Sequence, residues 1–312
     1  MLSSPVLEIE NLEITGPAGV VVRDVSLHVD EGDILCVVGE SGCGKTLTAL
    51  SVLDLLPPQL VCTQGTFHFL GQDVSARDAR RRLRGHGIGM IFQEPASALN
   101  PVYTIAFQIR EMLRGASKKI TTTIIDEKLQ AVGLKPDIAQ KYPHELSGGM
   151  KQRAMIAMAL AGNPRLLLCD EPTTALDPTV GTLILSQLRT LARQGLAVML
   201  ITHDFHAVRR MPGNISVLYA GCVMEEGTID TVLSNPRHPY THALLEALPQ
   251  PGKPPFFIPG QVPPPGMRPQ GCPFFNRCKY AQNVCENTLP LLVGEKGHKI
   301  RCHFPLSPHT PC

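Results

Sequence analysis

ILCVVGESGCGKT, from Ile34 to Thr46, joins a continuous apolar run of the buried-strand kind to a turn that fills the pattern G-x-x-x-x-G-K-[ST]. An apolar helical stretch, LTALSVLDLL, follows at once. In that setting Gly39, Gly42 and Gly44 let the backbone curl, so that the N–H groups of Gly39, Glu40, Ser41, Gly42, Cys43 and Gly44 face phosphate oxygens at a helix N-terminus. Lys45 adds an ammonium for the outer phosphates, and the Thr46 hydroxyl is placed to coordinate magnesium. The turn therefore predicts an α/β chain that binds a nucleoside triphosphate with Mg2+; alone it could belong to a kinase or a GTPase as well as an ATPase. Cys43 reads as a small tolerated residue.

Working outward, LEIENLEI (Leu7–Ile14) and VRDVSLHV (Val22–Val29) alternate as half-buried strands. Between Pro95 and Pro164 helical periods replace strand signals, as in IAFQIREMLRG and KQRAMIAMALAG, and predict a helical insertion over about 95–164. RLLLCD (Arg165–Asp170) and AVMLIT (Ala197–Thr202) flank the helical TVGTLILSQLRTLARQG, the signature of a mainly parallel sheet with crossover helices. Sixteen of the 28 prolines lie from Pro236 onward, so a boundary near Pro249 separates residues 1–248 from a Pro- and Cys-rich extension, 249–312.

The chain has 312 residues, 43% of them hydrophobic and 18% charged, a composition that fits a globular fold and excludes an acidic disordered chain. Apolar stretches such as Leu196–Thr202 are far shorter than the ~20 residues of a membrane-spanning helix, and the N-terminal residues carry no secretory pattern. A net charge of +2 gives no reason to expect nucleic acid. The basic cluster Arg77–Arg84 reads as a solvated helix face.

Further polar residues emerge at the ends of buried runs. LLLCDEP delivers Asp170 and Glu171 to the carboxyl end of a strand, where Asp170 can hold the magnesium shell and Glu171 can polarise an attacking water. Gln93 follows GIGMIF and His203 follows AVMLIT in the same manner. LSGGMKQR opens a helix with Ser147, Gly148 and Gly149, a second anion site.

Together these residues resemble the nucleotide-binding subunits of ABC transporters over roughly residues 5–248. The resemblance implies a P-loop ATPase core with an antiparallel N-terminal β subdomain. It makes GESGCGKT the Walker A motif, Gln93 the Q-loop and a magnesium ligand, LSGGM the signature, and Asp170 and Glu171 the Walker B pair. Ala175, Leu176 and Asp177 become the D-loop and His203 the switch histidine. It also implies that two subunits sandwich two ATP molecules, the signature of one facing the γ-phosphate on the other. One departure stands out: adenine in most such subunits stacks on an aromatic residue some 25 to 30 positions before the P-loop lysine, and here no aromatic residue precedes Phe67. Apolar packing of the base predicts modest ATP affinity and weak discrimination among purine triphosphates.

The extension carries Cys272, Cys278, Cys285 and Cys302, with five, six and sixteen residues between them, a pattern unlike paired zinc knuckles. Four thiols in a chain without an export signal suggest a metal centre. With RHPYTHALLEALP, the segment resembles the extension of ATP-binding subunits from the peptide and nickel importer family, where these cysteines are associated with a [4Fe–4S] cluster. Zinc and unligated thiols or disulfides are the alternatives; Cys312 is not expected to be a ligand. The resemblance implies a peripheral subunit on the cytoplasmic face of the inner membrane. Its partners would be a second ATPase, identical or paralogous, two permease subunits and, indirectly, an extracytoplasmic substrate-binding protein. Di- or oligopeptides are the expected cargo, nickel or a metal chelate the alternative. A soluble ABC ATPase is the competing class.

Overall fold

The computed structural model describes residues 5–94, 98–114, 121–174, 176–249, 256–295 and 297–307. Twelve strands are present among them: β1 (Leu7–Gly16), β2 (Gly19–Val29), β3 (Ile34–Val38), β4 (Val61–Phe69), β5 (Gln72–Asp73), β6 (Ile88–Ile91), β7 (Leu166–Asp170), β8 (Ala197–Thr202), β9 (Asn214–Tyr219), β10 (Cys222–Thr228), β11 (Val293–Glu295) and β12 (His298–Ile300). They form a four-stranded antiparallel sheet, β2-β1-β4-β5, and an eight-stranded sheet, β11-β12-β10-β9-β3-β8-β7-β6. The larger sheet is parallel from β9 to β6 and continues antiparallel through β10, β12 and β11.

Every residue of β3, β7 and β8 is buried, because both faces of this sheet are covered and neither has to alternate with polar side chains. The strand period still sorts them. Cys36, Val38, Leu167, Cys169, Val198 and Leu200 point into a core shared with the helices, while Leu35, Val37, Leu166, Leu168, Met199 and Ile201 point into a second core beneath the antiparallel sheet. β1 and β2 each have a buried face against that second core and more exposed intervening residues, which is the alternation their sequences predict.

Five helices matter for the site: α1 (Lys45–Val52), α2 (Arg77–Arg82), α3 (Ile105–Leu113), α4 (Thr122–Ala131) and α5 (Gly148–Ala159). The last three make up the helical insertion and start on the side-chain caps Thr104, Thr121 and Ser147. α5 lies almost on top of β6: a Cβ added to Gly89 would stand 2.4 Å from the Ala159 carbonyl oxygen.

The basic cluster is not simply a solvated face. Arg77, Arg81 and Arg84 converge on Asp54 just past α1, and Arg80 is buried over the Phe67 ring, 4.6 Å from its centroid. Asp54, a carboxylate at the end of α1 that sequence distance concealed, pairs with the more exposed Arg77, Arg81 and Arg84, while buried Arg80 donates to the Ser51 carbonyl.

Downstream come α6 (Pro178–Arg193), α7 (Phe205–Val208), α8 (Ile229–Ser234) and α9 (Pro239–Glu246). The segment beyond α9 packs back onto the core rather than standing apart. β12 pairs antiparallel with β10, Glu225 opposite Ile300. The fully buried Glu225 carboxylate accepts from the Arg237 and His238 N–H groups and meets His298 Nε2 at 2.7 Å. Arg301, also buried, donates to the carbonyls of Val223, Pro290 and Asp24. No helix among the described residues is long and apolar enough to cross a membrane.

Candidate nucleotide site

The parallel register sets the site. Val38 lies opposite Thr202, Asp170 opposite Ile201, and Ile91 opposite Cys169. The next residues along these strands are therefore Gly39, His203, Glu171 and, one step on, Gln93, all at one carboxyl edge, the position at which open α/β sheets bind ligands.

In the loop from β3 to α1, positive φ values at Gly39, Gly42 and Gly44 meet the need for a tight anion-binding curl. At Gly39 even a methyl group is excluded, since its Cβ would fall 2.1 Å from the Leu218 carbonyl oxygen. The Lys45 ammonium is buried and donates to the carbonyls of Gly39 (2.8 Å) and Glu40 (3.0 Å). Cys43 is fully buried against the core, with Lys45 Nζ 3.8 Å from its sulfur, and burial pushes its thiol up. That packing agrees with a small residue tolerated inside the loop. Ser41 and Gly42 are exposed.

Thr46 Oγ1 donates to Asp170 Oδ1 at 3.0 Å, so the hydroxyl and carboxylate expected around magnesium are adjacent. Burial raises the Asp170 carboxyl, and the Thr46 bond only partly offsets it. A divalent cation is the partner such a group lacks, and Mg2+ is usually held through only one or two carboxylates beside phosphate and water.

Burial also pushes Glu171 upward, but hydrogen bonds from His203 Nδ1 (2.9 Å to Oε1) and Thr174 Oγ1 (2.8 Å to Oε2) outweigh it and hold the carboxyl below its usual range. Glu171 thus stands as an ionised acceptor. Its backbone has φ +47, a left-handed conformation unusual for a non-glycine residue, fixed by the bond from its N–H to the Ile201 carbonyl. Sequence reading found Glu171 and His203 separately; the bond between them comes from strand order. Thr174 went unnoticed, although its place three residues after Glu171 in a turn was a usable signal.

Gln93 is exposed just beyond β6. Ser147 and Gly148 are exposed at the start of α5, where the Ser147 hydroxyl accepts from Met150 N–H. A Cβ on Gly148 would meet nothing within 4 Å, whereas one on Gly149 would press on Val180. Asp177 caps α6 through the N–H groups of Thr179 and Val180. Ala175 and the terminal Cys312 lie outside the described residues, as do residues 95–97 of the segment after Gln93.

The four cysteines of the extension line one pocket with Phe274, Phe275, Tyr280, Phe304 and His238. Burial pushes the Cys272 thiol up to about 12 and the Cys302 thiol to about 11, and neighbouring thiols add to both shifts. His238 Nδ1 accepts from Tyr240 N–H, and burial holds the ring neutral by lowering its pKa to about 4. Among the described residues no three His, Cys, Asp or Glu side chains are arranged to hold one metal ion.

A phosphate-binding loop, an adjacent Thr–Asp pair, an ionised Glu held by a His and a separate exposed Ser-Gly-Gly helix start define an ATPase of the ATP-binding cassette class. Residues 22–174 match the ABC transporter family, and residues 224–285 match the oligopeptide/dipeptide transporter C-terminal region. The chain belongs to the ABC transporter ATPases, in the oligopeptide/dipeptide transporter branch. It is 40% identical to a putative peptide import ATP-binding protein of Brucella ovis, covering 97% of this chain and 98% of that one. It is 41% identical to the dipeptide transport ATP-binding protein DppD of Escherichia coli K12, covering 91% of each. The fold is similar to the ATP-binding cassette MJ0796 in a dimeric post-hydrolysis state with ADP and Pi, with TM-score 0.64, 28% identity, and coverage of 72% of this chain and 98% of the cassette.

Proposed function

We propose that the chain is one ATPase half of a membrane importer for di- and oligopeptides, working with a second ATPase subunit and two permease subunits. The observation that carries the reading is the single carboxyl edge on which the phosphate loop, Thr46–Asp170 and Glu171–His203 meet. Peptide cargo is favoured over nickel by the peptide-import descriptions of the relatives and by the oligopeptide/dipeptide C-terminal region.

In this reading the loop N–H groups of residues 39–44 cradle the phosphates, except that of Glu40, which donates to the Tyr240 hydroxyl instead, and Lys45 turns from its loop carbonyls to the outer phosphate oxygens. Thr46, Asp170 and Gln93 would hold Mg2+, whose charge offsets that of the triphosphate. Glu171 accepts a proton from, and orients, the attacking water, and His203 keeps its carboxylate aimed. Ser147 and Gly148, exposed and without a side chain in the way, supply the second anion site to an ATP held on the partner ATPase. ATP then touches both halves only in the closed pair, and loss of the γ-phosphate separates them. An extracytoplasmic binding protein would present the cargo, and the ATPase would sit on the cytoplasmic face of the inner membrane.

The donor set of the extension suits an iron–sulfur centre: four thiols, apolar walls and no carboxylate. This reading rests on the donor set and the resemblance, because among the described residues no three His, Cys, Asp or Glu side chains are arranged to hold one ion. Cys272, Cys278, Cys285 and Cys302 would hold it as a structural clamp on a Pro-rich segment. Iron and acid-labile sulfide in anaerobically purified protein test this assignment, and their joint absence removes it.

Glu171→Gln tests the ATPase site. It keeps ATP binding and lowers turnover by about 100-fold or more, the scale of a lost general base; wild-type turnover would remove Glu171 from the chemistry. Uptake of a labelled dipeptide by vesicles holding the co-purifying permeases tests the cargo, and nickel uptake in its place would overturn it.

A further inference from the structure

Glu40 is the second residue of the phosphate-binding loop, and its side chain turns away from the phosphate side toward the extension. Its carboxylate receives both terminal nitrogens of Arg277, Nη1 at 2.6 Å and Nη2 at 3.1 Å. Arg277 comes from the far end of the chain, directly before Cys278, and is buried. Its guanidinium also donates to the carbonyls of Pro259 (2.8 Å) and Ile258 (3.3 Å) and to the Tyr219 hydroxyl (3.2 Å). The rings of Tyr219 and Phe274 flank it at 5.6 and 5.9 Å.

The rest of Glu40 is fixed as well. Its N–H donates to the Tyr240 hydroxyl at 3.0 Å, and its carbonyl accepts from Lys45 Nζ. Tyr240, Tyr219 and Phe274 pack as one aromatic cluster. Phe274 in turn walls the thiol pocket between Cys272 and Cys278. A continuous path therefore runs from the Lys45 ammonium through Glu40 to Arg277 and the cysteine pocket. Every link is a hydrogen bond, a bidentate ion pair or a peptide bond.

We propose that Arg277 is a positioning residue of the nucleotide site. Its bidentate pair with Glu40 holds the phosphate loop in its binding shape and couples that loop to the four-cysteine pocket. Resting on the ATPase reading above, the inference adds a control point to it. The geometry favours coupling over passive packing because a planar fork on a carboxylate fixes orientation as well as distance. Coupling is reciprocal: if the extension favours ATP binding, ATP must tighten the extension by the same factor.

The test uses the full chain as purified. Hydrogen exchange is followed with and without Mg-ATP, in the Glu171→Gln background to prevent turnover, and steady-state kinetics are measured with Glu171 intact. In the parent protein ATP slows exchange in the phosphate loop and also in Phe274–Cys278. In Arg277→Gln the loop still responds, the Phe274–Cys278 response is lost, and KM for ATP rises by about tenfold with kcat within about twofold. Arg277→Lys keeps the charge but not the fork and falls between. Glu40→Gln cuts the same pair from the loop side and reproduces the result should the Arg277 variants fail to fold. A Phe274–Cys278 response that survives in Arg277→Gln or Glu40→Gln, or an unchanged KM, overturns the proposal. A parent protein that binds no ATP instead overturns the ATPase reading.

Discussion

Asp170 and Glu171 are neighbours with opposite electrostatic fates. Burial dominates at Asp170 and raises its pKa, so the folded state is penalised for its charge as pH climbs through that value. Asp170→Asn should therefore stabilise the nucleotide-free protein by roughly 0.5–2 kcal/mol at neutral pH while abolishing the extra stability conferred by Mg-ATP. Thermal melts with and without nucleotide check both halves, and a destabilised free protein would contradict the sign. At Glu171 the bonds from His203 and Thr174 win, so its pKa lies below the unfolded value of about 4.3. Its contribution is present above that pH and is lost as pH falls through the lowered value. A pH–rate profile should accordingly show no acid limb from Glu171 between about pH 5 and 7. Both side chains were legible in the sequence, because three leucines directly before them announce a buried strand. Their different charges were not, since Thr46 and His203 reach them only once the strands are ordered.

At the scale of elements, the fully buried strands were the easiest to read: β3 and β8 coincide with ILCVV and AVMLIT. What the local pattern did not contain was partnership. β9 and β10 are buried runs too, yet nothing within them says that one is parallel to β3 and the other antiparallel to it. The helical insertion was legible as a change of period, but its distance from the sheet depends on glycines. Gly89 in β6 admits the backbone of α5, and Gly89→Ala would set a methyl group against the Ala159 carbonyl. That variant should lose about 1–3 kcal/mol, the range for overpacking, and shift Gln93 at the end of the same strand. Denaturant unfolding measures the first effect, and a fall in Mg-dependent turnover the second. Unchanged stability would mean that the two elements are free to separate.

For the whole molecule, the phosphate loop and the exposed Ser147–Gly148 site call for a second subunit. Glu171→Gln protein should run as a dimer with Mg-ATP and as a monomer with ADP in size-exclusion chromatography. Ser147→Arg, which places a bulky cation at the second anion site, should prevent that dimer while leaving the fold intact. A chain cut after Pro249 loses β12, Arg277 and Arg301 together, and should be recovered largely insoluble rather than as a smaller ATPase. The sequence marked this boundary by its prolines, but could not show that the tail re-enters the main sheet, because three-residue strands carry too little periodicity. The pairing of Glu225 with Ile300 spans 75 positions, so β12, with the edge strand β11 beyond it, can join β10 only after a large loop has closed. Until then β10 presents a bare edge to other chains. That interval, rather than the finished fold, is where newly made copies are most exposed to aggregation and where a chaperone would have most to do.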